Sequence, residues 1–153
     1  MTLKNKNLFE TKTLKKLKEQ GFRITKTRKA LVQLLSATRK PLAPNEIFLL
    51  LNKIKSGTSI DLASVYRILD VLVENKLIHK DNQTGAYFPC QHCENCNSEE
   101  HIFIKCDACG GMEELDYHHQ IFSKEFLNNL KAKNINLSNK ILYLTEKNCS
   151  SCE

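Results

Sequence analysis

Several signatures are missing from this 153-residue sequence, and each absence removes a class of protein. No apolar run approaches the roughly 20 residues that a membrane-crossing helix requires, so a span is not expected. The opening residues, MTLKNKNLFETKTLKK, hold no apolar stretch of the kind that directs secretion, and the chain is expected in the cytoplasm. There is no internal repeat and no low-complexity tract, which argues against a solenoid or a disordered tail. A nucleophile elbow, a phosphate-cradling glycine loop and an H-E-x-x-H helix are absent too, and with them common signatures of hydrolases, nucleotide-binding enzymes and zinc proteases.

Cysteine, by contrast, is crowded. Five of the seven cysteines and two of the five histidines fall in CQHCENCNSEEHIFIKCDACGG, from Cys90 to Gly111. Cys90, Cys93 and Cys96 stand at three-residue spacing, Cys106 and Cys109 form a C-x2-C knuckle, and Cys149 and Cys152 form another. A C-x2-C turn aims two thiolates at one ion from a tight backbone loop, so each pair is half of a tetrahedral site. A reducing cytosol keeps thiols available for metal, and the odd cysteine count speaks against a disulfide framework. Zinc is the expected ion. Spacing alone leaves two pairings open: Cys106 and Cys109 with Cys149 and Cys152, or a zinc ribbon of Cys93, Cys96, Cys106 and Cys109 that leaves the last pair without a role.

The net charge of +6 hides a division near Phe88. Residues 1–88 carry 17 Lys and Arg against 7 Asp and Glu, whereas residues 89–153 carry 6 against 10. The basic part is suited to a polyanion and the acidic, cysteine-rich part is not, which points to nucleic-acid binding in one and sensing or assembly in the other.

Hydrophobic periodicity predicts helices through most of the basic part. Residues 8–20 place Leu14 and Leu17 on one side of a lysine-rich helix ended by Gly21, expected to be a basic flank rather than a core element. Thr25 can cap a helix carrying Ala30, Leu31, Leu34 and Leu35, with Arg23, Lys26, Arg28 and Lys29 crowding its start. Positive charge there opposes the helix dipole, so a bound phosphate explains the cluster better than helix stability does. Pro44 opens a helix through Ile47, Leu50, Leu51 and Ile54; after KSGTS, residues 60–75 give another with Leu62, Val65, Leu69, Leu72 and Val73 inward. The second of this pair shows Ala63, Ser64, Tyr66 and Arg67 at its outer start, the pattern of a helix-turn-helix, and Leu77–Lys80 with Ala86–Phe88 adds a β-hairpin wing. Arg67 and Tyr66 are expected to contact bases, Ser64 a base or phosphate, and Arg23 and Arg28 phosphates. Beyond Pro89 come short strands, His101–Lys105, Gly111–Asp116 and Lys140–Glu146, and a helix over 118–133 with Ile121, Phe122, Phe126, Leu127 and Leu130 inward. About 65 residues of this kind make a marginal core, so metal staples and a partner subunit are both expected. The fold class is α+β, with a winged helix-turn-helix over 1–88, a hinge at about 86–90 and a small α/β domain over 89–153.

The ordered motifs Arg-Ile-Thr-x-x-Arg (Arg23 to Arg28), DLASVYRILDVLVENKLIHK (Asp61 to Lys80), H-x4-C-x2-CG (His101 to Gly110) and the later C-x2-C resemble the ferric uptake regulator family of bacterial metal-sensing repressors. The resemblance implies a DNA-binding winged helix, a dimerisation domain and metal-dependent binding of double-stranded operator DNA by a homodimer. The spacing H-x10-C from His79 to Cys90, with Glu114 eight residues past Cys106, is similar to the zinc-sensing branch. By that resemblance His79, Cys90, His101 and Glu114 form a regulatory zinc site and Cys106, Cys109, Cys149 and Cys152 a structural one, two zinc ions per subunit. The implied function is a zinc-responsive repressor controlling zinc homeostasis, with an iron- or peroxide-responsive regulator as the alternative. His101-Ile102-Phe103 stands where the iron and peroxide branches carry H-x-H, and a thiolate among the donors favours zinc. Cys93 and Cys96 are surplus, as is His92; they are possible alternative ligands, a further metal site or reversibly oxidised thiols. His118 and His119 are expected to face solvent. A more distant alternative is a zinc deaminase, because Pro89-Cys90-x-x-Cys93 matches half of that signature, but His79-Lys80-Asp81 offers H-x-D where H-x-E is needed.

Overall fold

The computed structural model describes residues 3–54, 60–81, 83–91, 100–115, 123–134, 140–149 and 152. Four helices come first: α1 (Leu3–Glu19), α2 (Lys26–Ala37), α3 (Pro44–Lys53) and α4 (Leu62–Glu74). A hairpin of β1 (Ile78–Lys80) and β2 (Tyr87–Pro89) follows, then β3 (Glu100–Cys106), β4 (Met112–Glu114), α5 (Lys124–Ala132) and β5 (Lys140–Glu146). An N-terminal helical domain therefore precedes a small C-terminal sheet domain, a mixed helix-and-sheet fold. No described helix is long and apolar enough to cross a membrane.

Local chemistry explains the starts of α2, α3 and α4. Thr25 accepts a hydrogen bond from the Arg28 N–H and so caps α2. At α3, Pro44 occupies a first-turn position, and the Glu46 carboxylate accepts from the Ala43 N–H at 2.7 Å. Asp61 caps α4 twice, its carboxylate accepting from the Ser64 N–H at 2.7 Å and from the Ser64 hydroxyl at 2.9 Å. Asn52 of α3 holds Ile60, just ahead of α4: its amide donates to the Ile60 carbonyl and accepts from the Ile60 N–H, both at 3.1 Å. Residues 55–59 of the expected glycine-containing turn lie outside the described residues.

The helical core runs through Leu31, Val32, Leu35, Ile47, Leu51, Val65, Ile68, Leu69 and Leu72 and reaches Leu77 and Ile78 of the wing. Each buried aliphatic contributes about 1.5–3 kcal/mol relative to exposure. Here α1 departs from expectation. It is a core element rather than a basic flank, because Phe9, Thr13 and Leu17 follow one another at four-residue spacing and all three are buried, while Lys15 and Lys18 lie on the exposed side.

In the wing, β1 and β2 are antiparallel with His79 opposite Phe88, and Leu42 bridges Tyr87 to extend the hairpin. Asp81 is 5% exposed and organises the turn, accepting from the Gln83 N–H at 2.9 Å and the Thr84 hydroxyl at 2.6 Å. The second sheet has the order β4-β3-β5: β4 runs antiparallel to β3, and β5 runs parallel to it. Helix α5 lies between β4 and β5 in the chain, as a parallel crossover requires. Its described part is Lys124–Ala132, capped by the Ser123 hydroxyl; residues 116–122, where the pattern places the start of this helix and Ile121, Phe122, His118 and His119, lie outside the described set. The expected inward face is also not buried in this single chain: Phe126 is 44% exposed, and Leu127 and Leu130 are half-buried.

Candidate metal centres and the basic face

The described residues hold two clusters of potential ligands. In the first, Cys106 and Cys109 come from the turn after β3, and Cys149 and Cys152 from the segment after β5. Because β3 and β5 are parallel and in register, Cys106 opposite Glu146, both strands deliver their following turns to the same end of the sheet. The sulfur atoms of Cys106 and Cys152 are 3.3 Å apart, those of Cys109 and Cys149 3.6 Å, and those of Cys149 and Cys152 3.4 Å. A tetrahedral four-thiolate zinc with bonds of about 2.3 Å sets such separations near ~3.8 Å, so the donor set fits that ion after slight expansion. Gly110, at φ +66°, closes the first knuckle in a conformation that side chains resist. The Cys106 thiol is brought down to about 6, chiefly by the Cys109 backbone N–H, while Cys152 is pushed up to about 12, chiefly by its contact with Cys106. Two neighbouring thiols that share one negative charge behave in this way, and a cation is what lets the second proton leave. Cys93 and Cys96 of the rival ribbon pairing, and His92, lie outside the described residues.

The second cluster is assembled from three parts of the chain. His79 alternates with Ile78 on β1: Ile78 points into the helical core, leaving His79 on the opposite side. There the imidazole meets Phe88, Phe103 and His101 at centroid distances of 5.5, 5.1 and 4.4 Å. Cys90 follows β2, fully buried, with its N–H on the Leu77 carbonyl at 3.0 Å. Glu114 ends β4 opposite Phe103, and His101 lies two residues before Phe103 on the same face. Ligand atoms of His79, Cys90 and Glu114 all fall within 4.8 Å of one another. His101 joins through Glu114, its Nδ1 hydrogen-bonded to Oε1 at 2.7 Å.

Two features of this cluster are unusual for a core. His79 Nε2 is buried without a hydrogen-bond partner, 3.8 Å from Glu114 Oε2. Glu114 is 5% exposed; burial alone would raise its pKa, but the His101 hydrogen bond, the nearby His79 imidazole and the Gln91 N–H hold it down to about 2. A buried thiol, an orphaned imidazole nitrogen and an ionised carboxylate form a donor set that suits a borderline-soft divalent ion.

The basic face is less uniform than the sequence suggests. Tyr66 is 43% exposed and Arg67 is exposed, both on the outer side of α4, so Tyr66 is not a core residue. Ser64 is half-buried, and its N–H and hydroxyl are both given to Asp61, whose carboxyl is lowered chiefly by that N–H. Arg23 is exposed. Arg28 braces the loop before α2, with its guanidinium 5.6 Å over the Phe22 ring and Nη1 donating to the Arg23 carbonyl.

Sequence reasoning missed three groups. Phe88 and Phe103 pack edge to face at 4.8 Å and join wing to sheet. Arg39, in the loop after α2, accepts from the Met112 N–H at 2.9 Å. Tyr143 on β5 is paired with Phe103; burial pushes its hydroxyl up from the ordinary value, and the negative charge of Asp81 adds to the rise. No local spacing announces such contacts. The alternation of His101 and Phe103 on a short strand was the one available hint.

The Ferric uptake regulator family model matches residues 19–145. The Ferric uptake regulation protein of Legionella pneumophila is 30% identical over 99 residues, 64% of this chain and 69% of that one. Among solved structures, a zinc uptake regulator complexed with zinc and DNA superposes with a TM-score of 0.72 at 22% identity, covering 99% of this chain and 96% of the other. Holo XcZur gives 0.72 at 24% identity, covering 95% and 97%. These structures share the fold, and the family is one of transcription regulators, not enzymes, which removes the deaminase alternative. With a match over most of its length, two ligand clusters at the expected strands and a helical domain ahead of a small sheet, this chain belongs to the Ferric uptake regulator family.

Proposed function

We propose that the protein is a zinc-responsive transcriptional repressor that binds operator DNA as a homodimer. The division into a DNA-binding part over 1–88 and a dimerisation part over 89–153, hinged at about 86–90, belongs to this reading. The observation that carries it is the split donor set: His79 on the wing and Cys90 after it converge with Glu114 and His101 of the small sheet. When bound there, zinc supplies a cross-link between the two parts. His79 offers Nε2, the one described imidazole nitrogen buried without a partner; Cys90 offers a thiolate, which favours zinc over harder ions; Glu114 offers a carboxylate already ionised; and His101 orients that carboxylate and is the fourth candidate ligand. Cys106, Cys109, Cys149 and Cys152 form the closed structural site, with no position left for a substrate.

The consequence for DNA is a shift among conformations. Two winged helices in a dimer match two operator half-sites in only one relative orientation, and the gain in affinity is bounded by the preference of the metal for that orientation. Tyr66 and Arg67 stand where bases are read, Arg23 contacts phosphate, and Ser64 and Arg28 complete the surface, Arg28 also holding the Arg23 backbone. Exposed Phe126, Leu144 and Leu115 on the small sheet domain supply apolar surface for a second subunit. That the fold is shared with a zinc uptake regulator complexed with zinc and DNA supports this reading.

The test is a zinc titration of purified protein against a labelled operator duplex, with Cys90→Ser alongside. The expected outcome is zinc-dependent binding by the natural chain and loss of that dependence in the variant, with one equivalent of zinc still bound. Zinc-dependent binding that survives in Cys90→Ser would show that the two centres are wrongly assigned.

A further inference from the structure

The donors of the proposed regulatory centre sit on or beside strands of two separate sheets: His79 on β1 and Cys90 after β2, His101 on β3 and Glu114 at the end of β4. Besides the Phe88–Phe103 contact, the main chain itself joins these sheets. The loop of residues 38–42, between α2 and α3, touches both. At one end Leu42 exchanges two hydrogen bonds with Tyr87 of β2, its N–H donating at 2.9 Å and its carbonyl accepting at 2.8 Å. Three residues earlier the Arg39 carbonyl accepts from the Met112 N–H of β4 at 2.9 Å.

Strand register is what makes the Met112 N–H available. Cys106 donates to the Gly111 carbonyl and Leu115 to the Ile102 carbonyl, both at 2.9 Å, so the alternation of an antiparallel ladder turns the Met112 N–H away from β3. Because β4 lies at the edge of the order β4-β3-β5, Arg39 meets that open edge at its first residue. The approach is close: a side-chain carbon added at Gly110 would meet Lys40, and one at Gly111 would meet Arg39, each at 3.9 Å. Side-chain packing beside the bond is incomplete, with a cavity of about 30 Å³ bounded by Thr38, Pro89, Gln91 and Glu114. The loop is therefore held to β4 there by main-chain bonding more than by buried apolar area. We propose that residues 38–42 form a main-chain latch, tying the edge of β4 to the wing so that Glu114 already faces His79 and Cys90 before any ion arrives. The latch acts on metal affinity without touching the metal, since a ligand that needs a fractionally populated arrangement binds with its intrinsic affinity reduced by that fraction. This role rests on the regulatory reading given above.

Met112→Pro deletes the donor where proline is tolerated, at the first residue of an edge strand, and Met112→Ala keeps the donor while shortening the side chain. Two readouts test the latch on full-length protein carrying one equivalent of zinc: zinc competition against a chelating dye for the second equivalent, and hydrogen exchange of individual amides. In the natural chain the Met112 amide is expected to be protected alongside that of Leu115, although an edge N–H without a partner would exchange freely. Loss of one main-chain hydrogen bond predicts about three- to tenfold weaker uptake of the second equivalent in Met112→Pro, with Met112→Ala near the natural chain. Uptake of the first equivalent and protection of Leu42, Tyr87 and Leu115 stay natural in both variants, because neither sheet has lost a bond of its own. An unprotected Met112 amide in the natural chain beside a protected Leu115 would overturn the latch, whether or not Met112→Pro folds. Natural uptake by Met112→Pro, or equal weakening in Met112→Ala, would also overturn it. A natural chain that takes up no second equivalent would overturn the regulatory centre and this role together.

Discussion

His79 Nε2 and Glu114 Oε2 lie 3.8 Å apart across the junction of wing and small sheet, one an imidazole nitrogen without a hydrogen-bond partner, the other part of a carboxylate held ionised in a buried position. Neither feature is favourable in an ordinary core, where an unpartnered polar group costs about 1–3 kcal/mol. Both are what the proposed regulatory site accounts for, and they lead to the first prediction.

Glu114 gives the metal-free protein a pH dependence whose sign is fixed. Its pKa falls from 4.5 to about 2 on folding, so its contribution to stability is present above about pH 4.5 and is lost as pH falls through 4.5 towards 2. The magnitude is of the order of a few kcal/mol, at about 1.4 kcal/mol for each unit. Urea unfolding of metal-free protein between pH 6 and pH 3 should show a steeper loss of stability in the natural chain than in Glu114→Gln. Parallel curves would mean that the carboxylate is not held by His101 and His79 as described.

Helix α1 gives a second prediction. Leu17 is fully buried, although lysines at 15, 16 and 18 surround it in sequence. Leu17→Ala should therefore destabilise the protein by about 2–5 kcal/mol, the range for a buried leucine truncated to alanine. A loss under about 0.5 kcal/mol, typical of surface changes, would restore α1 to the role of a solvated flank.

On DNA, Arg67 and Arg23 should behave differently. Arg67→Ala is expected to cost about 1–3 kcal/mol on the preferred operator and to relax base preference at one position. Arg23→Ala should weaken all duplexes alike and reduce the salt slope by about 1. Binding isotherms at several salt concentrations, on matched and mismatched duplexes, separate the two outcomes; identical behaviour of the two variants would contradict the assignment of α4 as the reading helix.

The four-cysteine cluster should behave as a staple rather than a sensor. Cys149→Ser is expected to lose tightly held zinc and the folded small sheet together, seen as loss of strand signal in circular dichroism and as dissociation of the dimer in sedimentation. Cys90→Ser should show neither effect. A folded, dimeric Cys149→Ser would mean that the β3 and β5 turns do not depend on metal.

Much of this arrangement is local and could be read directly. Thr25 and Pro44 announce their helix starts through side-chain chemistry, and the alternation of Ile78 and His79 separates a core face from a site face. Cysteine spacing is local within a knuckle, but the partnering of Cys106 and Cys109 with Cys149 and Cys152 depends on the parallel pairing of β3 with β5, which no short window contains. Burial of α1 was hidden because its contact residues, Phe9, Thr13 and Leu17, include a threonine and stand among lysines. The open apolar side of α5 looked like a core face because periodicity reports that a helix has an apolar side, not whether the chain itself covers it. Arg39 with Met112 is a long-range contact whose residue types carry no signal alone.

The central claim is that one ion is shared between the wing and the small sheet. X-ray absorption at the zinc edge of the fully loaded protein tests it most directly, comparing the natural chain with Cys90→Ser and His79→Ala. The account predicts a mixed sulfur, nitrogen and oxygen shell beside the four-cysteine shell in the natural chain, and in Cys90→Ser and His79→Ala the four-cysteine shell alone. A zinc environment unchanged by both substitutions would contradict it.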